Sequence, residues 1–217
     1  MNVCCFVDGF NLYHAIDKNF SHQMYKWLHI KTLCSQFVLP TEHMRQVLYF
    51  TAYSTWDQQK KDRHQKYVQA LSANGVQVIL GSYQKVTKNF FRGKNKVIKS
   101  SVPEMLLPKE LIFETYEEKR TDVNIAVKIL EYAYKNLFDH AIIFSGDSDL
   151  VPAIESVRKT FPAKKFTCVL PINGKGKRIA SACGNILQMN EKHLKISLFP
   201  KTVTAGKIQI ACPKEWQ

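Results

Sequence analysis

One stretch of the sequence shows the order of strands and helices most clearly: HAIIFSGDSDLVPAIESVRKT, which spans residues 140–160. An apolar run at 140–145 is typical of a buried strand, and it leads into a turn with two aspartates. A helix is predicted at 149–160, with Pro152 in its first turn, where proline is tolerated. Strand, acidic turn and helix in this order are typical of a parallel sheet with crossover helices.

The same alternation extends in both directions along the chain. Apolar, β-branched runs predict strands at 3–7, 47–53, 76–80, 140–145, 166–170 and 186–189. Periodic apolar spacing predicts helices at 27–38, 57–74, 122–138, 149–160 and 178–183. The helix at 122–138 is expected to bury one stripe, formed by Val123, Ala126, Val127, Leu130, Ala133, Tyr134 and Leu137. The sequence therefore predicts an α/β fold, a three-layer α/β/α sandwich around a central, mostly parallel sheet.

Two segments depart from this alternation. A basic insert at about 82–116 contains Pro103 and Pro108 and is predicted to form a hairpin followed by a loop. The segment 191–217 is a short, mildly basic C-terminal tail. We expect one domain over residues 1–190 that carries the insert, followed by the tail.

Composition restricts the class of protein. The 217 residues are 45% hydrophobic, which is enough for a packed core, and no apolar run approaches the roughly 18 residues that span a bilayer. Six cysteines are scattered without C-x-x-C spacing, so neither a zinc site nor a disulfide framework is expected. Reduced thiols and no membrane association indicate a cytoplasmic protein.

The excess of positive charge favours an anionic partner. With 31 Lys and Arg against 18 Asp and Glu, the formal charge is +13. The cations that we expect to bind a nucleic acid lie in two clusters, Lys85, Lys88, Arg92, Lys94, Lys96 and Lys99 in the insert, and Lys175, Lys177 and Arg178 in a glycine-containing loop. Phe90 and Phe91 lie within the first cluster, and aromatic rings among cations suit unpaired bases. A solvated hairpin whose phenylalanines pack inward is the open alternative.

Four aspartates lie at predicted strand ends or helix starts. Asp8 ends the first strand, Asp122 and Asp149 open helices, and Asp147 follows the strand at 140–145. Functional groups of open parallel sheets gather at the carboxyl ends of the strands, where the strand order reverses. Four carboxylates cannot share one site unpaired, but Mg²⁺ or Mn²⁺ relieves their repulsion and prefers oxygen ligands. The alternative is that Asp122 and Asp149 are N-caps and that Asp8 belongs to a plain turn.

The motifs that carry these acids resemble a known family. FVDGFNL at 6–12, KRTDV at 119–123 and SGDSDLVP at 145–152 are similar to the NYN domain of the PIN-like nuclease group, close to its LabA-like branch. The resemblance implies a PIN-like, Rossmann-like sandwich with a divalent-metal ribonuclease site. It also implies that Asp8, Asp122, Asp147 and Asp149 are the metal-binding and catalytic acids and that Asn11 is a polar catalytic residue beside the first of them.

Three functions are weighed on these residues. The first is a ribonuclease that uses Mg²⁺ or Mn²⁺ and acts on single-stranded regions of RNA, with a homodimer left open. The second is a non-catalytic RNA-binding or regulatory module that kept the fold. The third is a phosphohydrolase of the haloacid-dehalogenase type, which is disfavoured because Phe10 occupies the position of its second aspartate.

Overall fold

A six-stranded sheet forms the centre of the computed structural model, which describes residues 1–91, 110–206 and 208–217. Its strands are β1 (Asn2–Asp8), β2 (His43–Thr51), β3 (Gln77–Leu80), β6 (His140–Phe144), β7 (Lys165–Leu170) and β8 (Ile186–Gln188). They lie in the order β3-β2-β1-β6-β7-β8, and every neighbouring pair is parallel. The predicted parallel α/β architecture is confirmed.

Helices cover both faces of this sheet. They are α1 (Gly9–Asn19), α2 (Ile30–Ser35), α3 (Gln58–Ala73), α4 (Thr121–Tyr134), α5 (Val151–Thr160), α6 (Lys177–Cys183) and α7 (Glu191–Ile196). One core cluster packs α1, α2, α3 and α7 against the sheet, and a second packs α4, α5 and α6. The three layers follow from this division.

The alternation of side chains along β1 produces the two cores. Val3, Cys5 and Val7 belong to the first cluster, whereas Cys4 and Phe6 belong to the second. Successive side chains of a strand point to opposite faces, so a central strand covered on both faces is apolar throughout. This explains the uninterrupted apolar run that precedes Asp8.

The structure differs from the predicted helices in several places. Helix α1 was not predicted, and α2 is shorter than the helix expected at 27–38. The stripe expected to be buried on α4 is right only in part. Ala133 is buried, and Ala126, Leu130 and Leu137 pack against the second core. Val123, Val127 and Tyr134 are exposed, and Ile125 and Ile129 are buried in their place. Both faces of α4 are apolar, so periodicity alone did not identify the face that packs on the sheet.

The basic insert contains an antiparallel strand pair, β4 (Ser82–Phe91) and β5 (Glu110–Lys119), which forms a sheet of its own. Residues 92–109 lie outside the described residues. The C-terminal segment is folded: after α7, a hairpin of β9 (Thr202–Ala205) and β10 (Ile208–Ala211) places Val203 and Ile210 in the first core. Among the described helices, none is both long and apolar enough to cross a membrane.

Candidate functional site

The strand order reverses between β1 and β6, and the acids flank this point. In the sheet, β2 and β3 lie on one side of β1, while β6, β7 and β8 lie on the other. Asp8 is the last residue of β1, and Asp147 follows the carboxyl end of β6. Loops diverge at such a reversal and leave a crevice in which α/β proteins bind ligands.

Three of the four predicted acids form a close cluster. Asp122, Asp147 and Asp149 each offer a carboxylate oxygen, and these atoms all lie within 4.8 Å of one another. Asp122 and Asp147 are half-buried, and Asp149 is exposed. Among the described residues, none of the three forms an ion pair with a cationic side chain. The cluster is therefore a concentration of uncompensated negative charge.

Asp8 lies beneath this cluster and is 4% exposed. Its Oδ1 accepts a hydrogen bond from the backbone N–H of Asn11 at 2.9 Å, and its Oδ2 accepts one from Ser145 Oγ at 2.9 Å. Burial raises the pKa of Asp8, although these two hydrogen bonds oppose the rise. Asp8 thus caps α1 and fixes the loop after β6, while its charge adds to that of the cluster.

Asp122 shows the effect of this crowding most clearly. Burial, followed by the charges of Asp8 and Asp147, raises the pKa of Asp122 from its ordinary 3.8 to about 6. Like charges at short range disfavour ionisation of each other, as does removal from water. An acid with such a perturbed pKa in a crevice is a typical mark of a functional site.

The loop after β6 is held by a side chain of α1 and by the side chain of its own first residue, Ser145. Asn11 Oδ1 accepts a hydrogen bond from the N–H of Gly146 at 3.1 Å, and Ser145 Oγ accepts one from the N–H of Asp147 at 3.1 Å. A Cβ atom on Gly146 would lie 2.8 Å from the carbonyl oxygen of Lys175, so only glycine fits there. These contacts place Asn11 as a support of the acidic loop.

Glu118 is a fifth acid near the cluster that the sequence analysis missed. It lies in β5, accepts hydrogen bonds from the N–H and the hydroxyl of Thr121 at the start of α4, and contributes to the raised pKa of Asp122. No capping pattern in the sequence indicates this contact, because Glu118 comes three residues before the threonine and not three after it, as in a capping box.

The alternative that Asp122 and Asp149 are N-caps is wrong. Arg120 is the N-cap of α4, in a left-handed conformation with φ of 79°, and Asp122 lies in the first turn. Helix α5 begins at Val151, and Asp149 belongs to a short 3₁₀ helix that is capped by Asp147. The carboxylates of Asp122 and Asp149 are therefore left for the cluster.

The chemistry of the cluster fits a hard divalent cation. Three carboxylate oxygens converge from the start of α4 and from the loop after β6. Mg²⁺ and Mn²⁺ prefer oxygen ligands, and one such ion would offset the repulsion that raises the pKa of Asp122. Asp122, Asp147 and Asp149 are the residues that could hold it.

The cations expected to bind RNA lie in different surroundings. Lys85 pairs with Glu114 at 2.6 Å, and Lys88 pairs with Glu117 at 2.5 Å, across β4 and β5. The cations of the second cluster, Lys175, Lys177 and Arg178, are exposed. They lie in the segment whose Lys175 carbonyl packs on Gly146 in the acidic loop. The predicted contacts of Arg92, Lys94, Lys96 and Lys99 lie outside the described residues.

The structure is a parallel sandwich with an acidic cluster at its strand reversal, and the family comparison adds that the fold is nuclease-like. The family model of the NYN domain matches residues 2–189, so the chain belongs to the NYN domain family, which is part of the PIN-like nuclease superfamily.

Two individual proteins are similar to this chain. The 6-hydroxy-3-succinoylpyridine 3-monooxygenase HspA of Pseudomonas putida is 23% identical over 97% of this chain and 74% of its own length. A crystal structure of a protein of unknown function from Vibrio parahaemolyticus is 15% identical, has a TM-score of 0.53, and covers 91% of this chain and 96% of its own. The second likeness shows the fold alone.

Proposed function

We propose that this NYN domain is a divalent-metal-dependent ribonuclease that hydrolyses phosphodiester bonds in single-stranded regions of RNA. The observation that carries the proposal is the convergence of Asp122, Asp147 and Asp149, whose ligand oxygens lie within 4.8 Å of one another at the strand reversal. The described residues provide no cationic partner in an ion pair for these acids, and helix capping occupies only an oxygen of Asp147, so a bound cation is what would balance their charge.

The residues of the site would have different roles, which follow from their positions. Asp122, Asp147 and Asp149 would hold Mg²⁺ or Mn²⁺, which supplies Lewis-acid chemistry that activates water and offsets charge on a phosphate. Asp149, the exposed member, would orient the attacking water. Asp8 and Asn11 keep the loop of Asp147 in place through the hydrogen bonds described above. Water adds to phosphorus and the bond to the 3′ oxygen breaks, leaving a 5′-phosphate and a 3′-hydroxyl.

Binding of the RNA strand would use the cations beside the acids. Lys175, Lys177 and Arg178 are exposed, and the backbone of their segment packs directly on Gly146. Phosphates that flank the scissile bond would lie within reach of these side chains. Neutralising such phosphates releases counterions, so the affinity should fall as salt is added.

Cleavage of labelled single-stranded RNA tests the proposal, with Mg²⁺, Mn²⁺ or EDTA, in the wild type, Asp147→Asn and Asp62→Asn. Asp62 is an exposed acid on α3 that lies outside the acidic cluster and serves as the matched control. We expect metal-dependent cleavage that Asp147→Asn abolishes and Asp62→Asn retains. Cleavage that persists in EDTA, or equally in Asp147→Asn, would refute the role of the cluster.

The second candidate, a non-catalytic RNA-binding module, predicts a different result in the same assay. The charge of +13 suits it as well, since charge attracts RNA whether or not the strand is cut. RNA binding of equal strength in the wild type and Asp147→Asn, without cleavage in either, would favour this module over the ribonuclease.

A further inference from the structure

A cavity lined by aromatic rings lies next to the acidic cluster, on the other side of the start of α1. Its volume is about 340 Å³, at the lower end of the range of roughly 300–1,000 Å³ that small-molecule sites occupy. The aromatic side chains that line it are Phe10, Tyr13, Tyr25, Tyr49, Tyr67, Tyr83 and Trp216. They come from α1, β2, α3, β4 and two 3₁₀ helices, Gln23–Lys26 and Lys214–Trp216.

The cavity reaches the residue that follows Asp8. Gly9 and Tyr49 both line it, and a Cβ atom on Gly9 would lie 2.7 Å from the hydroxyl oxygen of Tyr49. The charge of Asp8 contributes to the raised pKa of Tyr49, after burial. Among the described residues, the lining includes none of the four aspartates of the predicted site. The cavity and the acidic cluster are therefore neighbours that share the first turn of α1.

Cationic side chains surround one ring of this cavity. Lys26 Nζ lies 4.6 Å and Lys60 Nζ 5.8 Å from the centroid of Tyr13, and Lys26 also donates a hydrogen bond to the Tyr13 hydroxyl at 3.1 Å. Lys26 pairs with Asp17 at 2.5 Å, and Arg63, which lines the cavity as well, pairs with Glu215 at 3.1 Å. Lys60 forms no ion pair with the described residues. The charge available to a ligand is therefore positive.

A neutral imidazole completes the lining. His64 accepts from or donates to Thr51 Oγ1 at 3.1 Å, and burial lowers its pKa to about 4. At neutral pH it offers hydrogen bonding without charge. Rings for stacking, one polar group and unpaired positive charge together select a flat ring that carries an anionic group.

We propose that this cavity binds a planar aromatic ring that carries an anionic group, and that this ligand is a nucleotide of the RNA strand. The choice of a nucleotide rests on the proposed function, because the cavity adjoins the acids that would cut the strand. A free aromatic carboxylate has the same chemistry and is the other source that the experiment distinguishes. Base stacking on such rings tolerates any base sequence.

Binding is measured by calorimetry in EDTA, with AMP, UMP, adenosine, nicotinate and inorganic phosphate as probes. We expect AMP and UMP to bind more tightly than adenosine, nicotinate or phosphate. Tyr13→Leu should weaken AMP binding by roughly 10-fold, because it removes the ring, while Tyr13→Phe should retain it. Lys60→Gln should weaken AMP binding by roughly 3- to 5-fold, and Lys61→Gln, the same charge change on the next residue of α3, should leave it unchanged.

Several outcomes would overturn the proposal. The first is that AMP does not bind at millimolar concentration. The second is that Tyr13→Leu and Lys60→Gln leave the affinity for AMP unchanged, and the third is that phosphate binds as tightly as AMP. Nicotinate binding more tightly than AMP, with the same sensitivity to Tyr13→Leu, would overturn the nucleotide and assign the cavity to a small aromatic acid. The binding assay contains no metal and needs no cleavage, so it can confirm the cavity even if the proposed ribonuclease activity is refuted. Conversely, cleavage of RNA by Tyr13→Leu at the wild-type rate would support the ribonuclease and show that cleavage does not need the cavity.

Discussion

The two ends of helix α4 hold carboxylates in opposite states. At the start of α4, burial and then the charges of Asp8 and Asp147 raise the pKa of Asp122 to about 6. Near its end, Glu131 accepts hydrogen bonds from Lys128 and Lys135, both at 2.6 Å, and its pKa is lowered to about 2. One helix thus carries a paired structural acid and an acid crowded by others. This difference, rather than acidity itself, singles out the start of α4 as the candidate functional end.

The largest expected effect comes from removing each acid in turn. Asp122→Asn should lower the rate of metal-dependent RNA cleavage by about 100-fold or more, since it deletes a ligand of the charge-stabilising centre. Glu131→Gln should leave the rate unchanged. Cleavage assays at saturating Mn²⁺, together with Mn²⁺ titration of both variants, measure this contrast. Equal rates in the two variants would show that the crowded end of α4 has no special role.

The next effect concerns the serine that connects two acids of the site. Ser145 Oγ donates to Asp8 and accepts from the N–H of Asp147, and the residue is fully buried. Ser145→Ala should lower the free energy of unfolding by about 1–3 kcal/mol, because it leaves buried polar groups without a partner. The exposed Ser148 in the same loop is the control, and Ser148→Ala should change stability little. Denaturant titration of both variants decides, and equal values would mean that Ser145 does not hold the loop.

The strand ends could be predicted from the sequence because parallel strands impose a simple rule. Each buried strand is a short apolar run, and an aspartate directly after such a run must lie at the carboxyl edge of the sheet. Asp8 and Asp147 therefore came to the same edge, as expected. The order of the strands in the sheet could not be predicted from the local apolar pattern, because it depends on crossovers between distant segments.

The remaining features depend on tertiary contacts that no local pattern shows. Helix α1 buries only Gly9, Leu12 and Ile16, so its apolar signal was too sparse, and its opening Asp8-Gly9 resembled a turn. The pairing of Lys85 with Glu114 joins residues on two strands separated by the segment 92–109. The aromatic cavity collects rings from six separate elements, so no single stretch of the sequence indicates it.

A smaller effect is expected in the pH dependence of stability without metal. The pKa of Asp122 is higher in the folded protein than its ordinary 3.8, so the folded state binds the proton more tightly. Ionisation of Asp122 therefore reduces stability as pH rises from about 4 to 6, and the loss persists above 6. In EDTA at pH 7, Asp122→Asn should melt about 2–4 °C above the wild type, a figure reduced for its partial exposure, and the gain should vanish near pH 4.

Glu131→Gln provides the opposite sign on the same helix. The pKa of Glu131 is lowered from 4.5 to about 2, so its ion pairs stabilise the folded state above pH 4.5 and are lost as pH falls toward 2. The variant should therefore melt below the wild type at pH 7 and approach it in acid. Melting curves of both variants across pH 3–7 test the pair, and shifts of the same sign would contradict the contrast between the two ends of α4.

The smallest effect compares paired with unpaired cations in RNA binding. Lys175 and Lys177 lie beside the acidic loop, and changing both to Gln should reduce the slope of log affinity against log salt by up to about 1.4 for single-stranded RNA. Lys85 and Lys88 each already pair with a glutamate of β5, so changing both to Gln should reduce the slope by less. The reason is that RNA must displace the glutamate before it gains the contact, and the charges of each pair nearly cancel at a distance.

Filter binding of one RNA in EDTA at several salt concentrations measures both double variants under conditions without metal-dependent cleavage. Equal reductions of the slope would mean that the ion pairs across β4 and β5 open on binding and that the hairpin is part of the RNA surface. A larger reduction for Lys85 and Lys88 would move the RNA surface from the loop beside Gly146 to the hairpin. Either result would show that ion pairing with a glutamate does not predict which lysines bind RNA. The contrast between paired and unpaired charges, which separates the two ends of α4, would then not extend to the lysines.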